Sequence, residues 1–262
     1  MDDETVSPAA AARPGELPAE ALAEIAALAA SAKRANGPLI RAFNRLGGGV
    51  ETQIGALPAN IRSLVDGGTE GLLTAAYRAA GAVGGLKVVP ETGDWAHRVA
   101  AATGGALGGF GGLGTVAVEL PATVALFFGA MQKIAAAHGY DPKSERARLI
   151  CLEVFGAGGP LAGDDGANTG FIGSRLAVNS GAVQAVIRRV APAVAALLGR
   201  KLASQAVPVI GAAAGAGLNL AFLSYFREMA HVRFGLQRLA DRHGAEAVEA
   251  QFRAEARSIG LG

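Results

Sequence analysis

The sequence predicts an all-α protein, a compact multi-helix domain built around two Gly/Ala-rich apolar helical segments. Three observations carry that expectation. Val99 to Val118 reads VAAATGGALGGFGGLGTVAV, twenty uncharged residues of which seven are glycine, and runs into Glu119-Leu120-Pro121. Leu202 to Phe226 is uncharged for 25 residues and contains Gly211, Gly215, Gly217 and a lone Asn219. No stretch shows sustained two-residue alternation enriched in β-branched residues, so strands are not expected. Small residues at helical spacing let backbones approach closely, a packing found in membrane helices and in tight cores.

The elements follow in order. Residues 1–17 are acidic and rich in Ala and Pro without an apolar period, which predicts a disordered acidic tail ahead of one helical domain over 18–262. Pro18 suits a first helical position, and Leu22, Ile25, Ala29 and Ala32 line one face up to Asn36-Gly37. Pro38 and Pro58 open short helices over 39–46 and 59–66, and Thr69 caps a third to about Ala82. The Gly-rich helix is expected to start near Asp94. Proline disfavours helical geometry in the residue before it, so a break is expected at Glu119-Leu120, with a new start at Pro121. That second helix runs to His138, with Gly139 as a left-handed cap.

Asp141-Pro142 reads as an N-cap followed by proline at the first position of a helix to about Phe155. Residues 156–170 form the longest loop. Val183, Val186, Ile187, Val190, Val194, Leu197 and Leu198 share one face of the next helix. Pro208 interrupts before the second apolar helix, which leads into Tyr225 to His243. An amphipathic helix over about 245–258 follows. Ten or more helices are expected in all.

Composition narrows the class. Hydrophobic residues make up 51% of the chain and mean hydropathy is +0.32, enough for a substantial core, although Ala, Gly and Val supply most of it. The 38 glycines lack the strict triplet of collagen, and the apolar content is too high for a disordered glycine-rich chain. The first 24 residues hold six acidic residues against Arg13, so the rest of the chain is basic. That excess suits an anionic surface but is too small to imply nucleic acid, and no aromatic–basic interleaving occurs. No nucleic-acid partner is expected. The single cysteine, Cys151, excludes an intrachain disulfide and a cysteine-based zinc finger. The start MDDETVSPAA lacks the basic and apolar regions of a signal peptide, which predicts a cytoplasmic protein, peripheral at the inner membrane.

Four ordered motifs resemble the EcsC family. They are the Gly-rich run ending in Glu119-Leu120-Pro121, then Cys151-Leu152-Glu153-Val154-Phe155, then Gln205 to Gly211 followed by Asn219, and finally Phe226 to Leu239 with Phe234 and Arg238-Leu239. The resemblance covers roughly residues 60–245. It implies a bacterial, mostly helical protein of a family named after a gene beside an ABC transporter operon, and it implies no particular reaction.

Each motif has two readings. Gly104, Gly108 and Gly112 recur every four residues on one helical face, and Gly211 and Gly215 offer the same surface on the second apolar segment. Either the two segments pack together as a lipid-contacting or membrane-inserting element, or they form a tight soluble core. Twenty to 25 apolar residues suffice to span a bilayer, but the glycines dilute the hydrophobicity and Glu119 ends the first run. Glu119, Glu153, Gln205 and Asn219 are polar residues in apolar surroundings. A buried carboxylate must be paired, hydrogen-bonded or neutral. The structural reading is a hydrogen-bond network in which Glu119 meets a helix N-terminus, Arg148, Lys201 or an amide. The functional reading is a polar pocket or a metal site built from separate helices.

Other chemistry finds less support. Glu228-Met229-Ala230-His231 has the Glu-x-x-His spacing of carboxylate metal centres, but a single copy reads as a solvated helix face. The four histidines are scattered. No G-x-S-x-G elbow, phosphate loop or dinucleotide fingerprint is present. Cys151 reads as a buried small hydrophobe. No catalytic residue, metal or cofactor is expected. Arg188, Arg189, Arg200 and Lys201 form either a basic face for lipid head groups or an ordinary solvated face.

These readings favour a membrane-associated or lipid-binding accessory protein on the cytosolic side of a bacterial envelope, contacting anionic membrane lipid or an acyl chain. The alternative is a soluble helical scaffold docking to a transporter or envelope protein. A third reading is an enzyme or metal protein using Glu119 and Glu153.

Overall fold

The computed structural model describes residues 17–35, 68–78, 116–156, 183–188, 190–191, 194–195 and 208–261, with backbone alone for 116–122, 208–216 and 218. All regular structure among the described residues is helical. In chain order these are α1 (Ala19–Ala35), α2 (68–78), α3 (Val116–Ala137), α4 (Glu145–Gly156), α5 (183–188, 190–191 and 194–195), α6 (Pro208–His243) and α7 (Ala245–Ser258). The all-α expectation holds. Residues 1–16 of the predicted N-terminal tail and most of the Gly-rich run lie outside the described residues, while Leu17 packs against the core.

The 36-residue helix α6 is the axis of the fold, about 54 Å long at the usual helical rise. Helices α1, α3, α4 and α7 all pack on it. Contacts fix their directions. Phe127 of α3 meets Phe226 with ring centroids 5.3 Å apart, and His138, just past the end of α3, meets His231. Both chains advance together, so α3 is parallel to α6. Phe155 of α4 lies 4.7 Å from Phe226, while Arg146 pairs with Asp241, so α4 is antiparallel. Glu24 pairs with Arg238 and Leu28 abuts Gly235, which makes α1 antiparallel as well. The Lys33 ammonium near the end of α1 donates to the carbonyl of Ile259 just past α7, so those two helices run side by side in the same direction.

Local sequence explains the turns. Gly139 adopts φ 83°, its N–H bonding the Ala136 carbonyl while that of Tyr140 bonds Ala135, which is a Schellman closure of α3. Gly260, at φ 69°, closes α7 the same way, with the Leu261 N–H on the Ala256 carbonyl and the Leu261 side chain buried. Gly244, at φ 91°, makes the single-residue corner between α6 and α7. At these three positions a left-handed backbone is required, and glycine adopts it without steric cost.

The core is continuous and rich in phenylalanine. Phe127, Phe128, Phe155 and Phe226 stack or tilt against one another with centroids 4.7–6.4 Å apart, joining α3, α4 and α6. Val183, Val186, Ile187, Val190 and Val194 are buried, as the periodicity of that segment predicts; Leu197 and Leu198 lie outside the described residues.

Three local expectations are corrected. No break occurs at Glu119-Leu120, because α3 is continuous from Val116 through Pro121. Pro121 stands in the second helical turn, where the missing N–H removes one ladder bond, to the Ala117 carbonyl. Asp141-Pro142 does not begin α4. The Asp141 carboxylate accepts from the Lys143 N–H at 2.9 Å, forming a turn, and the Ser144 hydroxyl accepts from the Ala147 N–H at 3.2 Å as the helix cap. Leu22 is 37% exposed, since the buried face of α1 runs through Ala21, Ile25, Leu28, Ala29, Ala32 and Ala35.

Candidate functional site

Beyond the phenylalanine cluster, the C-terminal half of α6 gathers the polar contacts. The His138 Nε2 lies 3.1 Å from the His231 Nδ1, with the rings edge-on at 62°. The Schellman turn at Gly139 ends α3 at the level of His231, and the Phe234 ring lies 6.4 Å from that of His138. Burial pushes the His138 imidazole below its ordinary pKa; His231 and the Arg238 charge add to this, and Glu24 opposes it. The neutral ring is therefore favoured in the fold.

Next to the histidines, Tyr140 donates its hydroxyl proton to Asp241 at 2.9 Å, and Asp241 also accepts from Arg146 at 2.6 Å and Gln237 at 3.1 Å. Arg146 further lies over the Tyr140 ring, 5.7 Å from its centroid. Burial pulls the Asp241 carboxyl upward, but the hydrogen bonds from Arg146 and Tyr140, the Arg146 charge and the Gln237 bond outweigh it and hold the pKa below the ordinary value. Burial and the bond to Asp241 raise the Tyr140 phenol, which therefore stays a donor. On the other side, the Arg238 guanidinium donates to the Glu24 carboxylate of α1. Buried Gln132 donates to the Pro142 carbonyl at 2.8 Å and ties α3 to the turn that follows it.

The sequence-predicted residues are distributed differently. Glu153 on α4 and Asn219 on α6 are buried, at 8% and 1% exposure. Glu119 lies on α3 with its side chain outside the described residues, as does all of Gln205, so the four-member polar cluster is not assembled by what the structure describes. Arg148, one expected partner of Glu119, donates to the Tyr77 carbonyl at 3.2 Å and lies 4.3 Å from the Tyr77 ring centroid. Burial, more than the other groups around it, pushes the Tyr77 phenol up to about 12.

Gly104, Gly108 and Gly112 lie outside the described residues; Gly211 and Gly215 lie on the backbone of α6. Arg188 is exposed on α5, whereas Arg189, Arg200 and Lys201 lie outside the described residues. Cys151 is fully buried, and burial pushes its thiol far above the ordinary value, so it stays a protonated small hydrophobe.

Sequence reading missed the histidine pair. His138 and His231 stand 93 positions apart, and His231 was expected on a solvated face, whereas it is half-buried against His138. The available signal was the left-handed cap at Gly139, which places His138 at a helix end. Spacing alone does not say which helix that end meets. Among the described residues no three His, Cys, Asp or Glu side chains converge to hold a metal ion.

Comparison with known proteins bears out the family resemblance. The model of the EcsC protein family matches residues 87–239. The chain is similar to the uncharacterized protein YdbA of Bacillus subtilis (strain 168), at 41% identity over 61 residues, a match spanning 22% of each chain. No solved structure matches.

Proposed function

The chain belongs to the EcsC protein family, and from that premise we propose that it is a peripheral, lipid-contacting accessory protein on the cytosolic face of a bacterial membrane, with no catalytic role. One observation carries the reading. Helices α3 and α6 are parallel, so their N-terminal portions, 116–126 and 208–225, extend from the Phe127–Phe226 contact toward the same end of the bundle. Glu119 is the single charge in either portion. Such an end carries little charge, which suits an acyl chain or the interfacial zone of a bilayer. Among the described residues no helix is long and apolar enough to cross a membrane, and surface contact does not require one. The exposed Arg188 can add head-group attraction of ~1 kcal/mol per basic residue.

Flotation with vesicles tests this. The protein should rise with phosphatidylglycerol-containing vesicles at low salt and much less at high salt, because screening weakens the head-group contribution. Equal binding to neutral and anionic vesicles would remove the basic face from the argument. Binding to neither would overturn the proposal and favour a scaffold that docks to a transporter or envelope protein.

A further inference from the structure

The helices that stop at the border of the uncharged end carry the side chains closest to any lipid there. Contacts locate that border. Leu28 abuts Gly235 and α1 runs antiparallel to α6, so the last turn of α1 comes level with Glu228. The Lys33 ammonium donates to the Ile259 carbonyl, which sets the end of α7 at the same level. Phe155 beside Phe226 brings the last turn of α4 there too. Past this level α1 and α7 do not continue, whereas α6 extends back to Pro208 and α3 to Val116, with Glu119 as the single charge.

Charge at the border is one-sided. On α1, α3 and α7 its exposed charged residues are Lys33, Arg34, Lys133 and Arg257, all cationic. Arg227, Glu228 and Glu255 are half-buried, and Glu153 is buried. Glu255 accepts from Gln251 at 3.0 Å, and earlier on α7 Glu249 pairs with Arg253. Lys33 and Arg34 donate to neutral oxygens, the Ile259 carbonyl and the Ser31 hydroxyl, which leave their charges uncompensated. The opposite tip is mixed: Glu20, Asp141, Asp241 and Glu246 stand exposed with Lys143, Arg146, Arg242 and His243.

We propose that Lys33, Arg34 and Arg257 form a cationic rim that holds the phosphates of anionic phospholipids where the uncharged end of the bundle meets the bilayer. The rim rests on the lipid reading above and names the side chains that give it a preference for anionic lipid. A guanidinium offers paired N–H donors that match a phosphate, and an ammonium bonded once has two N–H groups left. The same cations also balance the negative ends of the α1 and α7 dipoles. That role acts on stability and is indifferent to lipid, so vesicle binding tells the two apart.

The experiment uses the full chain and two pairs of substitutions that remove the same charge. Arg34→Gln with Arg257→Gln neutralises the rim, and Lys143→Gln with Arg242→Gln neutralises the opposite tip. Affinity for phosphatidylglycerol-containing and for phosphatidylcholine vesicles is titrated at low salt, with melting temperatures as the check on folding. Each cation at an anionic membrane surface contributes about fivefold, so the rim pair should weaken binding to the anionic vesicles by more than about tenfold and the tip pair by less than about twofold. In wild type, acetylation of Lys33 should slow severalfold when phosphatidylglycerol vesicles are added, while that of Lys143 should not change. Equal losses from the two pairs, or none from either, overturn the rim and leave the lipid reading in place. So do an unprotected Lys33 and equal wild-type affinity for the two kinds of vesicle. If wild type binds neither kind, both readings fall. Should the rim pair fail to fold, the protection of Lys33 in wild type decides alone.

Discussion

The two halves of α6 are built on different principles. From Pro208 to Phe226 the helix carries no charge, and its sequence is dominated by Ala, Gly and Leu. From Arg227 to His243 it carries Arg227, Glu228, His231, Arg233, Arg238, Asp241, Arg242 and His243. The second half meets α1 through Glu24–Arg238, the end of α3 through His138–His231, and α4 through Arg146–Asp241. Directional contacts of this kind select a register and an orientation. Apolar burial is non-directional and selects neither. A helix joined to its neighbours by charged pairs at one end and left uncharged at the other has its charge-based specificity in one half, and under the proposal above its contact with lipid in the other.

The sharpest way to break that comparison is to remove the joint between the halves. Phe226 is fully buried and touches both Phe127 and Phe155, so it couples α3 and α4 to α6 at the point where charge begins. Phe226→Ala is expected to cost about 3–5 kcal/mol, through lost transfer energy and the cavity left behind. Urea melts measure it. A cost below about 1 kcal/mol would mean that the phenylalanine cluster collapses around the gap, and that the polar pairs alone hold α3 and α4 in place.

Glycine substitution sharpens the comparison in an unexpected direction. The sequence suggests that close packing belongs to the apolar half, yet the tight glycine among those described lies in the charged half. A Cβ at Gly235 would come within 2.8 Å and 2.9 Å of the two Leu28 methyl carbons, whereas at Gly217 nothing among the described residues lies within 4 Å. Gly235→Leu should therefore wedge α1 away from α6 and destabilise by about 1–3 kcal/mol. Gly217→Ala should be neutral or stabilise by up to about 1 kcal/mol, through helix propensity. Thermal melts of the two variants should shift in opposite directions. A shared downward shift would place a neighbour against Gly217 and return close packing to the apolar half.

What was legible in the sequence divides along the same line. Apolar periodicity located α1, the Val183 face and α7, because burial imposes a 3.6-residue rhythm on the chain itself. Gly139 was legible as a cap because a left-handed residue is a local need. Ser144 was overlooked in favour of Asp141, since both are good caps and only the following turn decides between them. Pro121 misled because the restriction it places on Leu120 is a preference, and the single ladder bond it removes does not stop a helix that continues to Ala137. The polar pairs were not legible at all. His138 with His231, Arg238 with Glu24 and Tyr140 with Asp241 join positions 93 to 214 residues apart, and no local rule connects them. Buried Glu153 and Asn219 were found as polar residues in apolar segments, but chemistry of that kind identifies a residue and leaves its partner open.

The smallest expected effect tests whether the polar half is held by many weak contacts or by one strong one. Tyr140→Phe removes a single donor from Asp241 and leaves Arg146 and Gln237 in place. The Asp241 and Arg146 side chains are 39% and 49% exposed, so solvent screens the pair and the loss should be only about 0.5–1 kcal/mol at neutral pH. The folded pKa of Asp241 is held below its ordinary 3.8, so the stability it supplies is complete above that value and is lost as pH falls through the lower one. The cost of Tyr140→Phe should therefore be the same at pH 7 and pH 5 and shrink only at the acidic end, below 3.8. Urea melts of both proteins at pH 7, 5 and 3 measure this. A cost near 3 kcal/mol, unchanged in acid, would show that Tyr140 acts by packing against Phe234, whose ring centroid lies 5.5 Å away, and that the hydrogen bond to Asp241 contributes little. A cost that disappears between pH 7 and pH 5 would couple the carboxylate to the histidines, and the polar half would then respond to protons as a unit.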